Sequence, residues 1–134
     1  MMKEAEALKI ERDLVDGLSA LLDRIPIVSL EGVRTNVFDN GMKEIDAVVD
    51  MEVGGKAYHL HCEFKSNGHP KAARAAIQQL THWRFNGFSN PTLFGAPYIP
   101  EPTRALCVEA GVNYFDLHGN FRLFMGSLFI EGST

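Results

Sequence analysis

Asp46 and Glu63 lie in two apolar runs joined by Gly54-Gly55, and Lys65 directly follows the second run. The runs, Ile45 to Val53 and Lys56 to Phe64, are rich in β-branched and aromatic residues, and a Gly-Gly pair between them predicts a two-residue hairpin. With these glycines as the loop, Val53 faces Lys56. Counting outward puts Asp50 opposite His59, Val48 opposite His61, Asp46 opposite Glu63 and Glu44 opposite Lys65. Ala47, Val49, Met51, Leu60, Cys62 and Phe64 then share the other face, so the hairpin is expected to have one greasy and one chemical side. Opposed residues have Cβ atoms roughly 5 Å apart. Two carboxylates at that separation resist joint ionisation unless a cation neutralises them, and oxygen ligands select a hard ion such as Mg²⁺ or Mn²⁺. Lys65 projects from the same side, where an ammonium can orient or deprotonate water and stabilise charge at a phosphate. The ensemble suits phosphodiester hydrolysis.

The same residues admit other assignments. His59-x-His61-x-Glu63 converges on one strand face and is a candidate zinc site; alternatively, His59 pairs with Asp50 and His61 flanks the carboxylates. Glu44 and Lys65 would form a cross-strand ion pair. Asp46 and Glu63 are also candidates for an acid and base pair in a metal-free sugar or nucleotide hydrolase, a chemistry that leaves Lys65 without a role.

Helices must hold this hairpin in place. From Lys3 to Asp23, Leu14, Val15, Leu18, Leu21 and Leu22 fall within about 60° of one direction at helical spacing, and Glu11 interrupts that stripe. A carboxylate there either meets solvent at the helix end or belongs to a site. Ile25 to Phe38 reads as strand, with Asp39-Asn40-Gly41 as a turn. Lys71 to Asn86 reads as a helix whose apolar side carries Ala72, Ala73, Ala76, Ile77, Leu80 and Trp83, with Gln79 at its edge. A strand over Pro91 to Ile99, a helix over Glu101 to Ala110 closed by Gly111, and a strand over Val112 to Leu117 follow, turning through His118-Gly119-Asn120 into Phe121 to Met125. The order predicts one α/β domain with a mixed sheet.

Composition agrees. At 134 residues the chain can bury a real core without disulfide or zinc staples, and its 46% hydrophobic content excludes a disordered tail. The uncharged stretch Phe85 to Pro100 is broken by Asn86, Asn90, Pro91, Gly95 and Pro97, which excludes a membrane span. The acidic start Lys3-Glu4-Ala5-Glu6 does not suit a secretory signal, so a cytoplasmic address with reduced thiols is expected. Cys62 and Cys107, each among apolar residues, read as buried small hydrophobes. A net charge of −4 excludes binding to nucleic acid by bulk charge, yet Lys65 to Arg84 contains Lys65, Lys71, Arg74 and Arg84 with no acid among them.

An acid at Asp46, then Glu63-Phe64-Lys65 closing the next strand, after a helix bearing Glu11 and before one bearing Gln79, resembles the PD-(D/E)XK nuclease superfamily. That superfamily includes restriction endonucleases and archaeal-type Holliday junction resolvases. Ile45 stands in place of the proline before the acid. The likeness spans most of the chain and implies a restriction endonuclease-like αβββαβ core with a mixed central sheet flanked by helices, plus a C-terminal helix and β-hairpin, over residues 1–134 as one domain. It also implies that Asp46, Glu63 and the Phe64 backbone carbonyl bind Mg²⁺ or Mn²⁺, with Glu11 as a further acid and metal ligand and Lys65 as a catalytic residue. Gln79, with Trp83 four residues on, is similar to the Gln-x-x-x-Tyr element of RecB-type members, and Gln78 competes for that role. The segment Gly111 to Arg122 also resembles part of restriction-endonuclease-like proteins in which a separate DNA-binding domain follows, although Asp116 to Asn120 reads equally as a hairpin turn. The expected activity is a metal-dependent DNA endonuclease, with a catalytically inert DNA-binding or assembly module as the alternative. DNA, a second copy of the chain and a further DNA-binding domain or subunit are the expected partners.

Overall fold

A computed structural model describes residues 2–39, 43–85 and 90–134. The leucine stripe forms helix α1 (Met2–Asp23), with Leu14, Leu18 and Leu22 fully buried. Pro26, which disfavours helical backbone before it, lies just beyond the helix end. Three antiparallel strands follow, β1 (Val28–Asp39), β2 (Lys43–Val53) and β3 (Lys56–Phe64). Gly54 and Gly55 both take positive φ, 58° and 85°, the backbone that a two-residue hairpin turn requires. The β2–β3 register runs from Val53↔Lys56 through Asp50↔His59 and Val48↔His61 to Ala47↔Cys62, as the loop position predicts.

Helix α2 (Pro70–Phe85) carries the chain over to β4 (Thr92–Ala96), parallel to β3, and α3 (Glu101–Ala110) carries it to β5 (Asn113–Asp116), parallel to β4. Two antiparallel strands, β6 (Phe121–Met125) and β7 (Leu128–Gly132), complete a seven-stranded mixed sheet in sequential order. The αβββαβ order is therefore observed, and β7 is an addition to the expected elements. The turn segment Asn40-Gly41 and the helix end Asn86 lie outside the described residues. No helix among the described residues is long and apolar enough to cross a membrane.

The sheet has two cores, which corrects the division into a greasy and a chemical face. On one side, Ala47, Val49, Met51, Leu60, Cys62 and Phe64 pack with Leu14, Leu18 and Leu22 of α1, as expected. On the other, Ile45 and Val48 pack with Ala73, Ala76 and Leu80 of α2 and Cys107 of α3. The supposed chemical face is thus closed off at Val48, His61 and Glu63, while Glu44 and His59 stay exposed and Asp46, Asp50 and Lys65 half-buried. Both cysteines are buried free thiols.

One buried acid fixes the loops at the sheet's end. Asp116, 1% exposed, accepts hydrogen bonds from the backbone N–H groups of Ile99, His118 and Asn120 and from the Asn120 side-chain amide. This is the Asx-type turn reading of Asp116 to Asn120, with every donor satisfied. Asp116→Ala would strand these donors, three of them buried or nearly so, and is expected to cost about 3 kcal/mol, lowering the thermal midpoint by roughly 10 °C. Differential scanning calorimetry checks this. A shift under about 2 °C would show that water replaces the carboxylate.

Candidate active site

The sheet opens where the candidate residues sit. The described β2–β3 pairing ends at Ala47↔Cys62, one step short of Asp46 and Glu63. Beyond it the Phe64 N–H donates to Asp46 Oδ2 at 2.8 Å, so a carboxylate stands where a continuing ladder would offer a main-chain carbonyl. The Lys65 N–H bonds the Gly95 carbonyl on β4, the other flank of β3. Because a strand residue's N–H and C=O point the same way, the Phe64 carbonyl faces the gap beside Asp46.

A second irregularity aims Asp46. The β1–β2 pairing passes from Thr35↔Ala47 to Val37↔Ile45, and Asn36, between them on β1, has φ 53°. Ile45 joins the α2-side core whereas Ala47, two residues on, joins the α1-side core, so strict alternation fails at Asp46. The side chain borders a hollow of about 260 Å³ lined also by Leu8, Glu11, Val15, Asn36 and Phe64. Asn36 was not singled out from sequence. Its tolerance of left-handed backbone inside an otherwise extended run is the signal that could have found it.

Glu63 is 7% exposed. Its Oε1 lies 3.8 Å from Lys65 Nζ, its Oε2 is buried, and the carboxyl lies within hydrogen-bonding reach of that of Asp46, so that the two acids can share a proton. Burial, reinforced by the negative charge of Asp46, pushes the Glu63 carboxyl up to about 7. Burial also raises Asp46, against the opposing pull of the Phe64 N–H and the Lys65 charge. Half-buried Glu11 is raised as well, by burial and then by Asp46 and Glu44. Three acids thus lean on one another around the open strand end.

Several expected placements differ. Glu44 pairs with Phe38 on β1, and the ion-pair partner of Lys65 is Glu63, because β2 and β3 have separated by that level. His59 Nδ1 donates to Asp50 at 2.6 Å, and Asp50 also takes a two-pronged bond from Arg34 at 2.7 and 2.8 Å. His59 is therefore engaged away from Glu63. Among the described residues no three of His, Cys, Asp and Glu are grouped to hold a metal ion, so neither His59, His61 and Glu63 nor Glu11, Asp46 and Glu63 form a three-residue ligand set. Gln79 is half-buried on α2; Gln78 is exposed and lines a groove between α2 and α3. The side chains of His82, Trp83 and Arg84 lie outside the described residues.

No protein-family model matches the chain, and no curated protein matches it. Among solved structures it is similar to EndoMS in its apo form, at 14% identity and a TM-score of 0.47 over 78% of this chain. The match covers 45% of the EndoMS chain, so this chain corresponds to less than half of that protein.

Proposed function

We propose that the chain is a metal-dependent nuclease that hydrolyses phosphodiester bonds of DNA, cutting within strands. The observation that carries this reading is Glu63, a nearly buried carboxyl set against a second one, Asp46, with a lysine beside them. Two carboxylates that close and that buried are costly to ionise together unless something positive neutralises them. The donor set fits a hard divalent ion, with Asp46, Glu63 and the Phe64 carbonyl as the groups that would hold Mg²⁺ or Mn²⁺ and the rest of the shell left to water. Such an ion, when bound, supplies Lewis-acid polarisation of a phosphoryl oxygen.

The chain's own groups account for the remainder. Lys65 is about one-third exposed, with Nζ 3.8 Å from Glu63 Oε1, where it can donate to a phosphate oxygen or position water. Asp46 is held by the Phe64 N–H, so its orientation is set before substrate arrives. Glu11 faces the same hollow from α1, placed to hold or pass a proton. Gln79 is assigned a supporting role on α2. The acid-free stretch from Lys65 to Arg84 would meet the DNA backbone, and a second copy or a further DNA-binding domain would add affinity that a net charge of −4 does not provide.

The test is nicking of supercoiled plasmid, branched DNA and single strands in Mg²⁺ or Mn²⁺. Asp46→Asn is expected to abolish cleavage and weaken metal binding by calorimetry together, since it removes a ligand charge. A parent that binds DNA but cleaves none of these substrates would establish the inert-module reading instead.

A further inference from the structure

The parallel strands β3, β4 and β5 end side by side, and the loops that leave them, residues 65–69, 97–100 and 117–120, form one crest beside Lys65. These loops are locked to one another. Thr103 Oγ1 donates to the Gly68 carbonyl at 2.7 Å, and Gly68 lies so close to Tyr98 that a Cβ there would strike the Tyr98 carbonyl. Leu117 N–H bonds the Pro97 carbonyl, and Asp116 ties Ile99 to His118. From this fixed base Tyr98 projects 48% exposed, its ring edge-to-face with that of exposed His118 at 5.3 Å between centroids. The backbone that carries Tyr98 is fixed, and the ring leaves one face open to solvent.

The crest has a charge character as well. In a chain of net charge −4, none of the residues in the three loops is Asp or Glu, while Lys65, His69 and His118 are basic or can become so. The close approach of Gly68 to the Tyr98 carbonyl sets Tyr98 against the loop that follows Lys65, three residues on. An aromatic face beside an acid-free rim is the chemistry that stacks a nucleobase while its phosphates run alongside.

We propose that Tyr98, steadied by His118, is a stacking platform for an unpaired nucleotide next to the cleaved phosphate, so that this nuclease prefers DNA with unpaired bases over intact duplex. The proposal rests on the nuclease reading for the position of the cleaved bond, and not for the stacking itself. A paired base keeps both of its faces covered by neighbours, whereas an unpaired one offers a face to Tyr98. Loss of one base stack weakens binding by roughly 5- to 100-fold.

The experiment measures binding of a labelled mixed-sequence 12-nucleotide strand, and of the same sequence as a duplex, with the metal chelated, and then cleavage of both in Mg²⁺. Tyr98→Ala should weaken single-strand binding roughly 5- to 100-fold and leave duplex binding within about twofold, while Tyr98→Phe and Tyr98→Trp retain the parent's preference. Cleavage by Tyr98→Ala should lose the same selectivity, with the loss on the single strand read in KM. Equal loss on both substrates, or no loss on either, overturns the platform and leaves the nuclease reading standing. A parent that shows the Tyr98-dependent preference in binding yet cleaves nothing keeps the platform and overturns the nuclease. A parent that binds neither strand nor duplex overturns both.

Discussion

Lys65→Met should keep the fold and every proposed metal ligand yet lose roughly two to four orders of magnitude in cleavage rate, the range for removing one positioned charge-stabilising or proton-transfer group. The side chain is about one-third exposed and its amine is not a metal ligand, so methionine of similar length leaves the core undisturbed. The charge has a second effect. Lys65 pulls down both Asp46 and Glu63, so its removal lets both carboxyls rise further. Whatever rate remains should therefore have its acidic limb displaced toward higher pH. Lys65→Arg, which keeps the charge but moves its donors, should recover the position of that limb better than the rate. Single-turnover cleavage across pH 6 to 9, with metal binding measured beside it, checks both points. A Lys65→Met protein that cleaves as fast as the parent would show that the chemistry lies elsewhere.

The hairpin was legible because its determinants are local. Gly54-Gly55 sets the turn, the turn sets the register, and the period of two sorts Ala47, Val49 and Met51 from Val48. The αβββαβ order follows from similar local signals, such as the leucine spacing of α1 and the glycine that closes α3. The covering of the second face by α2 and α3 was not legible from the hairpin alone, since burial is a property of what packs on a strand. The end of the ladder was hidden for the same reason. Nothing in Asp46 or Phe64 announces that β2 and β3 part after Ala47↔Cys62, or that Asn36 interrupts the β1–β2 pairing beside it. Strict alternation put Asp46 and Glu63 across a closed ladder. The open end serves the proposed chemistry better, because a main-chain carbonyl and two carboxylates can reach one point only where the sheet's own hydrogen bonds have stopped.

Glu63→Gln should abolish metal binding and cleavage while making the metal-free protein more stable at pH 8, by about 1–3 kcal/mol. Unfolded, this carboxyl loses its proton near 4.5; folded, it holds the proton to about 7. The folded state therefore binds more protons between those values, and stability falls as pH rises through that window. Each unit of difference is worth about 1.36 kcal/mol, so the window sets a ceiling near 3 kcal/mol. Glutamine carries no charge to bury, and its amide can donate to Asp46 at every pH, as the Glu63 carboxyl does only while it keeps its proton. The parent should thus melt lower at pH 8 than at pH 5 in a chelator by more than Glu63→Gln does. Millimolar Mg²⁺ should restore the parent's midpoint at pH 8, have little effect at pH 5 where the carboxyl is protonated, and leave Glu63→Gln unmoved at both. Thermal unfolding of the two proteins, at two pH values with and without the ion, gives the whole set. If the glutamine variant is the less stable one at pH 8 without metal, the carboxylate is already satisfied and has no need of a cation. If Mg²⁺ raises both proteins equally, the ion binds away from Glu63 and the assignment of the metal site fails.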